Sequence, residues 1–147
     1  MVLFVRPLQR DDRSDWQALW SGYLAVMGIE LTQEEYDIQF DRRLSDDPQD
    51  PRCLIAVQDG RAIGLAHYLF QRDGWRTEDT CYLQDLYVAP SMRDYGAGQT
   101  LIGAVFATAD AFGAPQVYWL TQNSDRSSRK LYDRIGILTS FVKYERQ

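Results

Sequence analysis

Metal and redox chemistry are poorly supplied in this chain, which holds one histidine, His67, and two cysteines, Cys53 and Cys81. One histidine excludes a His-rich metal site, and His67 reads as an ordinary, partly buried strand residue. Two cysteines so far apart make neither a redox motif nor a zinc knuckle. No apolar run is long enough to span a bilayer. The opening Met1-Val2-Leu3-Phe4-Val5 is too short for a signal peptide, and no basic residue precedes it. The expectation is a soluble, cytoplasmic protein. Basic residues are outnumbered, 16 Lys and Arg against 21 Asp and Glu, for a net charge of −5. Broad nucleic-acid binding needs basic surface to neutralise phosphates, so that class is disfavoured. A cationic partner is favoured weakly, because net charge mostly governs solubility. No repeat, low-complexity tract or linker interrupts the chain. Its 147 residues fit one domain, 1–147, with enough chain to bury a core.

What is present centres on the stretch from Thr80 to Phe112. Thr80 to Val88 is rich in aromatic and branched residues, as strands prefer. Pro90 removes a backbone donor and ends the strand. Arg93-Asp94-Tyr95-Gly96-Ala97-Gly98 then turns the chain into an apolar helix carrying Leu101, Ile102, Val105, Ala109 and Phe112. Glycines there let a ligand approach the backbone. Free N–H groups and the positive end of the helix dipole make an anion site, most naturally for phosphate. A P-loop would need Lys-Ser/Thr where Gln99-Thr100 stands. The dinucleotide fingerprint would need glycine where Leu101 stands, and an earlier place in the chain.

Around that centre the rest reads in order. Val2 to Val5 is a first strand. Trp16, Leu19, Trp20, Tyr23 and Met27 recur at helical spacing after the N-cap candidates Asp11, Asp12 and Ser14. These aromatics read as core, or as one wall of a substrate pocket. Thr32 and Glu35 form a capping-box pattern for a second helix, Gln33 to Leu44. The region from Glu30 to Asp50 is acidic and reads first as a solvated helix face. Cys53 to Val57 and Arg61 to Phe70 form a hairpin across Asp59-Gly60. Val117 to Leu120 is a short strand expected to pair in parallel after a right-handed crossover. Arg129 to Ile135 is a helix, and Leu138 to Tyr144 a final strand, interrupted near Thr139-Ser140.

Arg-x-x-Gly-x-Gly after a strand ending Val-x-Pro resembles the acyl-CoA-binding signature of the GNAT superfamily of N-acetyltransferases. The resemblance covers nearly the whole chain, firmly from Leu83 to Gly136 and loosely before Cys53. It implies an α/β (α+β) GNAT fold in the order βααβββαβαβ. The sheet would be mixed, mostly antiparallel, with six to seven strands flanked by about four helices. It implies acetyl-CoA as cofactor and transfer of its acetyl group to a primary amine. The backbone of Leu86, Tyr87 and Val88 would hold the pantetheine arm, and an N–H near Val88 would polarise the thioester. The loop of Arg93, Asp94, Tyr95, Gly96, Ala97, Gly98, Gln99 and Thr100 would hold the pyrophosphate.

Asp125 to Tyr132 resembles the family's Asn-x-x-Ala-x-x-Leu-Tyr, which makes Tyr132 the acid that protonates the leaving thiolate. The other reading of Tyr132 is a core aromatic. Asp125 and Ser128 depart from the pattern, and Asn123 is a substitute for the missing asparagine; all three are carried as cofactor contacts. Gln84 cannot act as a base. Asp85 either contacts the amine, directly or through water, or is a buried carboxylate capping backbone N–H groups. Trp20, Tyr23, Glu34 and Glu35 are candidate acceptor contacts, the acid there selecting a small cationic amine, or a lysine or N-terminus of a peptide. The segment Val117 to Gln122 looks like the histone/polyamine acetyltransferase-like microbial branch, which implies a homodimer with paired or exchanged C-terminal strands. The competing class is a non-catalytic acyl-CoA sensor or assembly module on the same fold.

Overall fold

The computed structural model describes residues 2–147. Five strands form one sheet in the order β1-β2-β3-β4-β5. They are β1 (Leu3–Pro7), β2 (Arg52–Gln58), β3 (Arg61–Gln71), β4 (Thr80–Val88) and β5 (Gln116–Tyr118). The first four pair antiparallel, and β5 joins β4 in parallel, as a crossover helix requires. Helices α1 (Arg13–Val26) and α2 (Gln33–Arg43) follow β1; α3 (Ala97–Phe112) connects β4 to β5, and α4 (Arg126–Ile135) follows β5.

Local chemistry explains the helix starts. Thr32 and Glu35 close the expected capping box on α2, the Glu35 carboxylate accepting from the Thr32 N–H at 2.8 Å. Asp12 stands at the N-cap of α1, yet its carboxylate does not cap. Arg6 grips it through two bonds of 2.7 and 2.9 Å, and the Gln9 N–H donates at 2.7 Å. That Arg6 contact holds the Asp12 carboxyl below its usual range, despite burial. It also ties the end of β1 to the start of α1.

The sheet carries a separate apolar cluster on each face. On one, α1 and α2 bury Trp16, Leu19, Trp20, Tyr36 and Phe40 against Cys53, Ile55 and Leu65. On the other, α3 buries Leu101, Ile102 and Val105 against Ala66, Tyr68 and Leu83, with Leu131 and Tyr132 of α4 packed alongside. Two irregularities in β4 prepare the site. The register with β3 steps from His67↔Asp85 to Tyr68↔Leu83, which leaves Gln84 as a bulge. And β5 pairs only with Thr80, Cys81 and Tyr82. From Leu83 to Val88 the outer edge of β4 has no strand beside it.

Three expectations need correction. Among the described residues the sheet has five strands, not six to seven, and the order is βααβββαβα without a last strand, because Leu138 to Tyr144 forms none. Apolar alternation makes a strand only where a neighbour supplies N–H and C=O groups. Here Leu138, Phe141, Val142 and Tyr144 stay 75–90 % exposed, and the aromatic neighbour of Phe141 is the exposed Trp75 at 6.3 Å. The strand expected at Val117 to Leu120 stops at Tyr118. His67 is fully buried, not partly.

Candidate active site

The loop after β4 is built for backbone exposure. A short 3-10 turn, Pro90–Met92, follows Val88. Asp94 then takes φ +70° and Gly96 φ +87°, both in the left-handed region. Glycine relieves that strain at position 96. Gly96 is the N-cap of α3, so the amides of Ala97, Gly98 and Gln99 begin the helix with no carbonyl behind them. The amide of Thr100 is already used, donating to Gly96 O at 3.0 Å. A Cβ placed on Gly98 would meet only Leu131, at an ordinary 3.8 Å. The protein's own packing therefore does not demand glycine there, whereas a phosphate lying on the loop would. Arg93 turns back, donating from Nε to Val88 O at 3.0 Å with its guanidinium over the Tyr87 ring. Its side chain braces the end of the strand; Tyr95 stands exposed.

Leu86 and Val88 face the α3 side, and Tyr87 the α1 side. Tyr132 comes in from α4, half-buried, with its ring edge-on to Trp119 at 5.6 Å. Burial, then the charge of Asp125, raises its pKa, and a hydrogen bond with Ser128 opposes them. Such a phenol stays protonated at neutral pH and can donate. The nearby departures from the expected motif have local roles. Asp125 caps α4, accepting from the Ser128 N–H at 3.1 Å. Asn123 accepts from Arg129 through both its backbone and side-chain oxygens, at 3.0 and 2.9 Å.

On the opposite face Asp85 is 9 % exposed. Its Oδ2 lies 3.0 Å from His67 Nδ1. Tyr23 of α1 faces the same carboxylate, and its pKa is raised by burial, then by Asp85, then by the phenols of Tyr82 and Tyr132. The Tyr23 ring stacks on Trp20 at 5.2 Å and stands edge-on to Tyr87 at 6.1 Å. Gly22 allows this approach, since a Cβ there would lie 2.6 Å from the Tyr87 hydroxyl. Trp20 is buried, donating to Gln39 at 2.7 Å. Glu34 and Glu35 lie exposed in the first turn of α2.

The structure thus brings together Tyr23, Asp85 and Tyr87, while Tyr132 packs with the cluster on the other face of the sheet. Three further residues join Asp85 and Tyr23: His67, which the sequence left as an ordinary strand residue, Trp16, one of the aromatics read as core or pocket wall, and Arg43. Trp16 donates to His67, and Arg43 lies 3.3 Å from its other nitrogen. One signal was available: His67 falls two residues after Leu65 in β3, a polar residue on an apolar face.

Comparison with known proteins agrees with this geometry. The model of the "Acetyltransferase (GNAT) family" matches residues 13–137. The D-amino-acid N-acetyltransferase HPA3 of Saccharomyces cerevisiae is 31 % identical over 150 residues, covering 98 % of this chain and 90 % of that protein. The solved aminoglycoside N-acetyltransferase AAC(6')-Iy in complex with CoA superposes with a TM-score of 0.86 at 21 % identity, over 99 % of this chain and 95 % of the other. A ribosomal-protein-alanine N-acetyltransferase from Brucella melitensis biovar Abortus 2308 gives 0.83 at 17 %, over 99 % of both chains. The chain belongs to the GNAT family as an acetyl-CoA-dependent N-acetyltransferase.

Proposed function

We propose that the protein acetylates the primary amine of a small cationic molecule, or of a peptide lysine or N-terminus, by direct attack in a ternary complex. The observation that supports this is the placing of Tyr132 and Asp85 on opposite faces of β4, at the edge β5 leaves open. Acetyl-CoA supplies an activated acetyl group as a thioester. The Ala97, Gly98 and Gln99 amides hold its pyrophosphate, and the free edge of β4 from Leu86 to Val88 takes the pantetheine arm. The amine nitrogen bonds to the acetyl carbon, and the carbon–sulfur bond breaks with its electron pair on sulfur. Tyr132 gives its proton to that sulfur. The acceptor ammonium gives one proton to Asp85 or to water before it attacks, and the second proton lost from nitrogen as the amide forms restores Tyr132. Preorganised donors in such a site contribute on the order of a few kcal/mol each to the transition state.

A second reading has its own support. Much of the acidic run on α2 is engaged within the chain: Arg13 pairs with Asp37, Arg10 with Asp41, and Glu35 caps Thr32. Little of it remains to select a polycation. The yeast relative carries the name of a D-amino-acid N-acetyltransferase. An amino acid presents one ammonium, which Asp85 alone suffices to bind. Thiol release from acetyl-CoA, measured over polyamines, basic peptides, aminoglycosides and D- and L-amino acids, decides between the two. A best acceptor that is neutral or acidic and not an amino acid contradicts both.

We also propose a homodimer built through the C-terminal segment. Ile137, Leu138, Phe141, Val142 and Tyr144 are 75–93 % exposed in one chain, as a segment made to pair with a second copy would be. Sedimentation of the full chain against a chain ending at Gly136 tests it. A full-length monomer at micromolar concentration contradicts it.

A further inference from the structure

The single histidine of the chain sits where two strands and two helices meet. His67 is fully buried on β3. A neutral imidazole has one N–H donor and one acceptor nitrogen. The Trp16 indole donates its Nε1–H to His67 Nε2 at 3.0 Å. An indole N–H can only donate, so Nε2 must carry the lone pair and the ring proton must sit on Nδ1. Two groups face Nδ1: Asp85 Oδ2 at 3.0 Å and an Arg43 terminal nitrogen at 3.3 Å. Arginine is itself a donor, so Nδ1–H donates its hydrogen bond to the Asp85 carboxylate. Full protonation of the ring would set N–H against N–H at Trp16. Burial and the Arg43 charge also oppose it; against the hydrogen bond to Asp85, they push the pKa down to about 4.

We propose that Trp16 and His67 form a tautomer lock that orients Asp85 for the acceptor. Trp16 fixes the proton on Nδ1 and His67 presents it to Oδ2, so that the other carboxylate oxygen is shared between Tyr23 and the acceptor ammonium. This rests on the reading of Asp85 as the acceptor-side carboxylate. His67 touches no substrate and is a positioning residue. Trp16 and Tyr23 are seven residues apart on α1, two turns along one face. One helix therefore supports the carboxylate twice, through His67 and directly by Tyr23.

The test uses the tag-free full chain labelled with 15N-histidine, in which one imidazole gives the whole signal. The expected spectrum has a protonated Nδ1 and an unprotonated Nε2, unchanged between about pH 5 and 8, the range in which an ordinary histidine titrates. Trp16→Phe keeps the ring, removes the donor, and should bring up the second tautomer. An Nε2-protonated wild type, or a charged ring at neutral pH, overturns the lock. Kinetics tests its purpose. His67→Leu should lower acceptor kcat/KM by about 10- to 100-fold, the worth of one hydrogen bond to a charged group, with the KM for acetyl-CoA unchanged. His67→Asn keeps an N–H close to the place of Nδ1 and should recover most of the loss. Equal defects in the two variants at matched thermal midpoints overturn the positioning role. A wild type that shows the locked tautomer but acetylates no amine overturns instead the reading of Asp85.

Discussion

The two faces of β4 are made in different ways. On the α3 face the binding groups are backbone amides, exposed by a left-handed Gly96 and a helix start, and they come from one continuous stretch. On the α1 face the groups are side chains, Asp85, His67, Trp16, Tyr23 and Arg43, gathered from four elements. A cofactor common to a whole family can be held by backbone geometry, which side-chain substitution barely alters. An acceptor that differs between relatives has to be read by side chains.

The comparison can be broken first at Tyr132, where the largest effect is expected. Tyr132→Phe deletes one hydroxyl and keeps the ring packed on Trp119. Steady-state kinetics should show kcat down by about 10²–10⁴, with acetyl-CoA affinity nearly unchanged. Full activity in the variant would transfer the acid role to water or Ser128. Next is Asp85→Asn. Acceptor kcat/KM should fall by about 10- to 100-fold while the KM for acetyl-CoA holds, because the proposed cofactor site is on the other face. An equal change in both constants would mean that the faces are not separate.

The separation also explains what the sequence revealed. The stretch from Leu83 to Thr100 was legible because its chemistry is local: a strand, a Pro stop, two glycines, a helix start. The capping box at Thr32 and Glu35 and the Asp59-Gly60 hairpin were legible for the same reason. The buried cluster was not. Trp16 and His67 are 51 residues apart, and their contact depends on α1 crossing β3. Nor was the failure of the last strand, since Leu138 to Tyr144 has the right composition and only the fold shows that it lacks a partner. Tyr132 was picked out by the Leu131-Tyr132 end of its motif, and the departure at Asp125 has a local reason, since that residue caps the helix.

A smaller effect concerns stability and pH. His67 has its pKa lowered from 6.5 to about 4 with Asp85 of β4 and Arg43 of α2 facing it and Trp16 and Trp20 of α1 closing the ring in. Between those values the unfolded chain binds more protons than the folded one, so stability falls as pH drops from about 6.5 towards 4. The loss amounts to at most about 3 kcal/mol. The thermal midpoint of the wild type should decline across that window, and that of His67→Asn should decline less. Parallel curves would mean that the ring charges without cost. The smallest effect is expected at Glu34, which lies outside the capping box. Glu34→Lys should change acceptor KM by less than about threefold, as exposed charges usually do. A larger change would restore α2 as the surface that selects the acceptor.

The central claim, that the loop after β4 holds the cofactor apart from the acceptor chemistry, meets its most direct test in the thermal midpoint with and without acetyl-CoA. A ligand that binds only the folded state raises that midpoint. Gly98→Asp puts a side chain and a negative charge on the proposed pyrophosphate site, in a space the protein leaves open except for Leu131. The account predicts a clear acetyl-CoA shift in the wild type and in Asp85→Asn, and none in Gly98→Asp. An undiminished shift in Gly98→Asp would contradict it.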